Sequence, residues 1–397
     1  MSDHFFYISS WYPQAAKSNG TFIEMQLLAM QEVGLKVAIL QTEELSAGNF
    51  VRKRLRGERL FHYRPNVGIR MVENLVVHRL PLRFMARPEV QRHEGIIAVS
   101  IDRLDTYIRR HGRPDVLFHH GIFDFCYLTA ALSAHFNIPY WYMEHSAFVE
   151  AGNIKSRNAQ ETESDLRAFV RGAERCFAVS APYAAHFSAL FGRSFGHVPN
   201  VLSKDLFTDT PTQALQPPFR FVNVGILEPH KQQGLLLEAF AKSFAGDEAV
   251  QLVIAGDGRL GPALQAQAAA LGIAGQASLI GFVDRKALRQ LLDSSHVLVL
   301  SSSHETFGVV LIEAMARGLP VIAPDIDGPN ALVYDGVGTL FNQGSSDHLA
   351  AQMRKIKETI GNYAPAHIAA QTRERYGAKA FVKALLAEAA PKASTGA

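Results

Sequence analysis

Two carboxylates and a glycine open the reading. The segment SSSHETFGVVLIEAMARGLPVIAPDIDGPN, residues Ser301 to Asn330, runs from a serine tract through Glu305 and Gly308 into an apolar stretch that holds Glu313. The spacing predicts a strand ending in the serines and a helix starting near Gly308. Glu305 then stands just before the helix N-terminus, and Glu313 lies about two turns inside. The unbonded amides of Gly308, Val309 and Val310 would point out of that N-terminus. Together with the helix dipole they make an anion site of the kind that holds phosphate. Gly308 lets a ligand come close to the backbone. The alternative is that Glu305 merely caps the helix and Glu313 is solvated. Against it, Leu311, Ile312, Ala314, Met315 and Ala316 surround Glu313 with apolar groups. A carboxylate placed there is half buried and needs a partner.

Other groups sit at predicted strand ends. Lys231 follows the strand in VNVGILEPHKQQGLLLEAF, and His145 follows the strand in WYMEHSAF. LFHHG puts His119 and His120 at a third strand end, with no role assignable from sequence. Gly20 in SNGTFIEMQ occupies a strand-to-helix turn. VIAGDGRLG spaces Gly256, Gly258 and Gly261 as G-x-G-x-x-G, the pattern of a dinucleotide-binding turn. That spacing is the basis of a competing class, a nicotinamide- or flavin-dependent oxidoreductase. Two features count against it: the turn follows the second strand of its domain, and no acidic residue closes a later strand where a ribose partner belongs.

These residues need a scaffold to position them. A chain of 397 residues, 48% hydrophobic and 19% charged, is long enough for two or three domains with substantial cores. Its net charge of +3 does not point to nucleic acid. Short apolar runs alternate with amphipathic segments, as in doubly wound α/β domains with parallel sheets. Strands are predicted at Phe5–Ser9, Lys36–Gln41, Leu75–Leu80, Asp115–His119, Pro139–Glu144 and Cys176–Val179, then at Arg220–Val224, Val250–Ala255, Ala277–Ile280, Val297–Ser301 and Pro320–Ala323. The proline-containing stretch 203–218 interrupts the alternation. The expected organisation is therefore residues 1–202 as one Rossmann-like domain, 203–218 as linker and 219–375 as a second, facing the first across a cleft. A last helix, about 376–391, would pack back on the first domain. Cys126 and Cys176 lie in apolar segments and read as buried thiols of a reducing compartment. The N-terminus shows no cleavable leader, and no apolar run reaches about 18 residues, so a cytoplasmic location is expected.

The Ser301–Asn330 segment resembles the E-x7-E signature of retaining glycosyltransferase family 4, which has the GT-B fold. The likeness extends to VNVGILEPHKQQGLLLEAF, LVIAGDGRLGPAL, ASLIGFVDRKALRQLLDSSHVLVL and VPNVL. It is strong over about Val198–Met353 and weaker before that. By this resemblance Glu313 binds the donor ribose and Lys231 neutralises the diphosphate. Gly308, Val309 and Val310 hold phosphate through their amides, Phe282 and Val283 border the base, and Glu305 meets the sugar hydroxyls. Gly20 resembles the family's N-terminal glycine loop, and His145 its active-site histidine. One departure stands out: the arginine usual after the glycine at Gly225 is Ile226 here. Arg259 is the candidate to compensate.

The implied activity is transfer of a hexosyl-type group, with retention, from a nucleoside diphosphate sugar to an acceptor hydroxyl in polysaccharide or glycolipid assembly. The leaving phosphate oxygen would help deprotonate the acceptor, and Lys231 and backbone amides would meet the growing charge. No cofactor and no metal are called for. A non-catalytic sugar-binding protein on the same fold is the third class. The acceptor side carries one further signal. Between Arg52 and Arg113 there are 15 Lys and Arg against 6 Asp and Glu, a local excess of +9 that leaves −6 elsewhere. LVVHRLPLRFMARP interleaves apolar and basic residues within it. Such a face suits an anionic membrane surface at the inner side of the cytoplasmic membrane and a lipid-linked acceptor. A soluble anionic sugar acceptor, or an ordinary solvated face, are the alternatives.

Overall fold

The structure, a computed structural model, describes residues 3–9, 21–41, 69–72, 75–79, 89–122, 125–145, 154, 162–208 and 217–390. The chain divides into two compact units: Met1–Val198 with Val382–Ala397, and Pro199–Phe381.

In the first unit the order is β1 (His4–Ser9), α1 (Thr21–Glu32), β2 (Lys36–Gln41), β3 (Ile69–Val72), β4 (Leu75–Arg79), α2 (Glu89–His111), β5 (Val116–His120), α3 (Cys126–Phe136), β6 (Tyr140–Glu144), α4 (Glu163–Gly172), β7 (Arg175–Ala178), α5 (Ala181–Phe191) and β8 (Gly196–His197). They form one eight-stranded sheet, ordered β3-β4-β2-β1-β5-β6-β7-β8. All pairings are parallel except β3 with β4. Phe5, Phe6, Tyr7 and Ile8 of β1 are all fully buried. That explains why a central parallel strand reads as a continuous apolar run rather than an alternating one. At α4 the sequence sets the start directly, because Thr162 and Asp165 form a reciprocal capping box.

The second unit contains β9 (Phe219–Val224), α6 (Gln233–Phe244), β10 (Val250–Ala255), α7 (Gly261–Ala270), β11 (Ala277–Leu279), α8 (Arg285–Asp293), β12 (Val297–Val299), α9 (Val309–Ala316), β13 (Val321–Pro324), β14 (Gly338–Phe341), α10 (Ser346–Glu358) and α11 (Pro365–Tyr376). The six-stranded parallel sheet runs β11-β10-β9-β12-β13-β14. Phe221, Phe240, Phe244, Leu252 and Met353 fill the core between the sheet and its helices. A final helix, α12 (Ala378–Ala389), follows α11. From Val382 onward it belongs to the first unit, where Ala389 O accepts a 2.9 Å hydrogen bond from Arg175 Nε.

Three strands were not anticipated. β8 has only two residues and shows no period, β3 pairs antiparallel at a sheet edge, and β14 is a half-buried edge strand. The start of the proline-containing stretch packs on the second unit: Leu206 is fully buried, and Asp205 is ion-paired to Arg289. Residues 209–216 lie outside the described residues.

The order of the second sheet matters most for function. Strand order reverses between β9 and β12, since β10 and β11 lie on one side and β13 and β14 on the other. In open parallel sheets a ligand crevice opens at that switch point, beyond the strands' carboxyl ends. The segments emerging there are Gly225–Lys231 and Leu300–Gly308. In the first sheet the reversal falls between β1 and β5, and His119 and His120 end β5.

Candidate active site

Neighbouring strand ends bring Lys231 and Glu305 together. After β9 the chain makes a short 3-10 turn at Pro229–Lys231, and Gln232 turns it into α6 with a left-handed φ of 49°. The serine tract after β12 fastens this turn. Ser301 Oγ donates to Lys231 O at 2.7 Å, and Ser303 N donates to His230 O at 2.7 Å. Below them, Asn223 Nδ2 donates to Val299 O at 2.8 Å and ties β9 to β12. Lys231 Nζ thereby reaches Glu305 Oε2 at 2.7 Å, across 74 residues of sequence. Both side chains are largely buried, 20% and 18% exposed.

Beside this pair the N-terminus of α9 is open. Gly308 precedes the helix with φ 95°, a left-handed conformation that side-chain-bearing residues rarely adopt, and no side chain caps the first turn. The amides at Val309 and Val310 are therefore not claimed by a capping group. Phe307 anchors the loop from below, buried and set edge-on to Tyr376 at 5.8 Å.

Glu313 is the fifth residue of α9, little more than one turn inside rather than the expected two, because two turns separate it from Glu305 and not from the helix start. Its side chain is half-buried at the surface. Its carboxyl sits deep enough that loss of water raises its pKa to about 7, with the nearby Arg285 pulling it down and Asp205 pushing it up. The sequence reading missed Arg285 and Asp205. Their only local trace is Asp284, which caps α8 by accepting from Ala287 N at 2.8 Å and so fixes where Arg285 leaves the backbone.

The loops after β9, β10 and β11 carry the remaining candidates. Phe282 is 53% exposed, which excludes a place in the core, and Val283 is half-buried beside it. Ile226 is 54% exposed at the position where the arginine was expected. Arg259 lies on the surface and pairs with Glu228 at 2.8 Å. The G-x-G-x-x-G turn has a structural use. A Cβ on Gly256 would stand 1.9 Å from Gly225 O, and Gly256 N donates to Gly281 O at 2.8 Å. Its glycines let three strand-end loops pack backbone to backbone.

In the first unit His145 leaves β6 and lies against His120, with His120 Nδ1 2.9 Å from His145 Nε2 and the rings stacked at 5.1 Å. Burial lowers the pKa of His145 to about 3. Burial, followed by the charges of His145 and His119, holds His120 well below its usual value. Both imidazoles are neutral at pH 7. Glu144, fully buried, accepts from Tyr142 Oη, from Ile122 N at 3.0 Å and from His145 N at 2.9 Å. His119 has a packing role. It lies between Thr129 Oγ1 at 2.7 Å and Gly121 O at 2.9 Å, and burial lowers its pKa to about 4. Cys126 and Cys176 are buried thiols that are not joined in a disulfide. Gly20, the cluster Arg52, Lys53, Arg54 and Arg56, and the stretch 80–88 lie outside the described residues. Of the basic stretch that is described, Arg109 pairs with Asp105 at 2.6 Å and Arg113 donates to Asn137 O at 2.7 Å.

The sequence contains one Asp-x-Asp spacing, Asp325 and Asp327 after β13, and both are exposed. Among the described residues no three His, Cys, Asp or Glu side chains converge on a metal-sized site. None of the described helices is long and apolar enough to cross a membrane.

Comparison with known proteins agrees with this geometry. Residues 210–375, within the second unit, match the family model described as Glycosyl transferases group 1. The α-D-kanosaminyltransferase of Streptomyces kanamyceticus is 29% identical over 34% of this chain and 38% of its own length. The gpi3 subunit of phosphatidylinositol N-acetylglucosaminyltransferase from Schizosaccharomyces pombe is 25% identical over 74% of this chain and 64% of its own length. The chain thus spans less than two thirds of these curated relatives. Among solved structures, Anabaena HepE in complex with UDP superposes with a TM-score of 0.69 at 18% identity, covering 97% of this chain and 98% of HepE. The fold is that of the GT-B glycosyltransferases, with two Rossmann-like units.

Proposed function

We propose that the protein is a retaining glycosyltransferase that moves a sugar from a nucleoside diphosphate sugar to an acceptor hydroxyl. The observation that carries this reading is the convergence of Lys231, Glu305 and the uncapped N-terminus of α9 at the sheet's switch point, with Glu313 one turn further in. Lys231 and the amides of Gly308, Val309 and Val310 meet the diphosphate as charge grows on it, an interaction strongest in the transition state. Glu313 accepts from the ribose hydroxyls, Phe282 and Val283 border the base, and Glu305 accepts from hydroxyls of the sugar. The complexes of HepE with UDP and with UDP-glucose support a nucleotide-sugar donor. The dehydrogenase reading loses ground, because the Gly256 turn is taken up by loop packing.

The test is incubation of the full chain with UDP-, GDP- and ADP-hexoses. Slow hydrolysis of one donor without acceptor, with the product's anomeric configuration read by NMR, is the expected result. Lys231→Ala should cut turnover at saturating donor by about 10²-fold or more, and a normal rate in that variant would remove the role of Lys231. For the acceptor we favour a lipid-linked sugar at an anionic membrane face, because basic and apolar residues interleave between Arg52 and Arg113 and the yeast relative's name carries a phosphatidylinositol acceptor. Cosedimentation with anionic vesicles at low salt and release at high salt are expected. Equal recovery with neutral vesicles, or none with either, would leave a soluble acceptor.

A further inference from the structure

The Lys231–Glu305 pair is closed, and it joins two groups that a donor would use separately. We infer that Glu305 competes with the diphosphate for Lys231, and so loosens the nucleotide product once the sugar has gone. This rests on the nucleotide-sugar reading above.

The geometry sets up the competition. Lys231 Nζ holds Glu305 Oε2 at 2.7 Å, with both side chains about four-fifths buried, so neither charge is satisfied by bulk water. The backbone of both residues is fixed: Ser301 holds Lys231 O, and Phe307 anchors the Glu305 loop. What remains adjustable is the lysine's ammonium on its flexible stem. A diphosphate arriving at the N-terminus of α9 draws that ammonium toward itself and strips Glu305 of its cation. A half-buried carboxylate left so is costly unless other donors replace the lost bond. The hydroxyls of the donor sugar are such donors. A bare nucleoside diphosphate brings none.

Nucleotide sugar and nucleotide product therefore face different sites. With the sugar present, Lys231 serves the diphosphate and sugar hydroxyls satisfy Glu305. After transfer the hydroxyls leave on the acceptor, and Glu305 reclaims Lys231 from the diphosphate. No bond in this step is covalent, and the lysine stays protonated throughout. Glu305 acts on the product through Lys231, as a positioning residue, in addition to its contact with the sugar.

The experiment uses calorimetry on the full chain with UDP, GDP and ADP, the tightest of the three being carried forward with its glucose derivative. Glu305→Gln keeps the shape and removes the charge. The expected result is about three- to tenfold tighter binding of the nucleoside diphosphate, the size of one ordinary net hydrogen bond rather than a full charged one, because the glutamine amide oxygen still accepts from Lys231. Affinity for the nucleotide sugar should not improve in step, so the preference for donor over product falls. In a Lys231→Ala background the same change should leave diphosphate affinity unaltered. Glu305→Asp, which shortens the arm but keeps the charge, should fall between wild type and Glu305→Gln and stands in if the latter does not fold. Unchanged or weaker diphosphate binding in Glu305→Gln, while Lys231→Ala still weakens it, overturns the competition and spares the site reading. No effect of Lys231→Ala, or no binding of any of the three nucleotides, overturns both.

Discussion

The carboxyl ends of the two sheets handle polar groups in contrasting ways. In the first unit they satisfy one another: His119 sits between Thr129 and Gly121, His120 rests on His145, and Glu144 takes three donors from its own surroundings. In the second unit the charges are held by partners that a ligand can replace, Lys231 by Glu305 and Arg259 by Glu228, and Glu313 by the field of Arg285. Burial acts on both, with opposite sign. It lowers the pKa of imidazoles and raises that of a carboxyl, because in each case the charged form is the one water would have stabilised. The first unit is thus built around groups kept neutral as bases, and the second around an acid poised to lose its proton near neutral pH.

The sharpest test of the contrast lies in the second unit's glycine turn. Gly256→Ala places a methyl against Gly225 O at a φ of 147°. It should destabilise the unit by on the order of 4 kcal/mol or more, measured by urea unfolding followed by circular dichroism. A folded variant with weakened nicotinamide binding would instead revive the dehydrogenase reading.

Acid should separate the two units. His119 and His145 have folded pKa values of about 4 and about 3, below the unfolded 6.5, and His120 is lowered too. Below pH 6.5 the unfolded chain binds more protons than the folded one, so stability falls as pH drops. Between pH 7 and pH 5 the three groups together should remove about 3–5 kcal/mol from the first unit. Glu313 works the other way. Its folded pKa of about 7 exceeds the unfolded 4.5, so its contribution is most favourable below pH 4.5 and is lost as pH rises through 7. Both tryptophans, Trp11 and Trp141, belong to the first unit, so tryptophan emission during urea unfolding reports that unit alone. Equal midpoints at pH 7 and pH 5 would break the comparison.

Glu313→Ala should weaken nucleoside diphosphate binding by about 1.5–3 kcal/mol, the loss of a charged acceptor for the ribose. In the wild type that affinity should rise between pH 6 and pH 8 as the carboxyl ionises, and Glu313→Gln should flatten the profile. Titration calorimetry across that range decides it, and unchanged affinity in a folded Glu313→Ala would remove the ribose assignment. The smallest effect is expected at Arg259. Arg259→Ala should cost below about 1 kcal/mol of stability, because its pair with Glu228 is exposed and screened. If the variant also loses several-fold in diphosphate affinity, Arg259 does stand in for the arginine missing at Ile226.

Much of the scaffold was legible. Most of the strands announced themselves as apolar runs, because a parallel strand buried on both faces has no polar alternation to hide it. β3, β8 and β14 escaped for a different reason: each is an edge strand of two to four residues, too short to establish a period. At the site, the half-burial of Glu313 followed from its apolar neighbours, and the open helix start followed from Gly308. The depth of Glu313 within α9 was overstated, since the two turns counted run from Glu305, which lies outside the helix, and Glu313 stands only five residues after Gly308.

By itself the sequence determined most of the strands, where an uncapped helix start stands, and that one carboxylate in α9 is held partly away from water. These depend on contacts within a few residues, or on the average burial of a face. Tertiary structure alone decided that Lys231 meets Glu305, that Arg285 and Asp205 set the charge around Glu313, and that His120 pairs with His145. Each depends on strand order, β9 beside β12 and β5 beside β6, which sets which carboxyl ends come within reach of a side chain. An ion pair acts over about 4 Å, and no local periodicity records a distance between residues 74 apart in the chain.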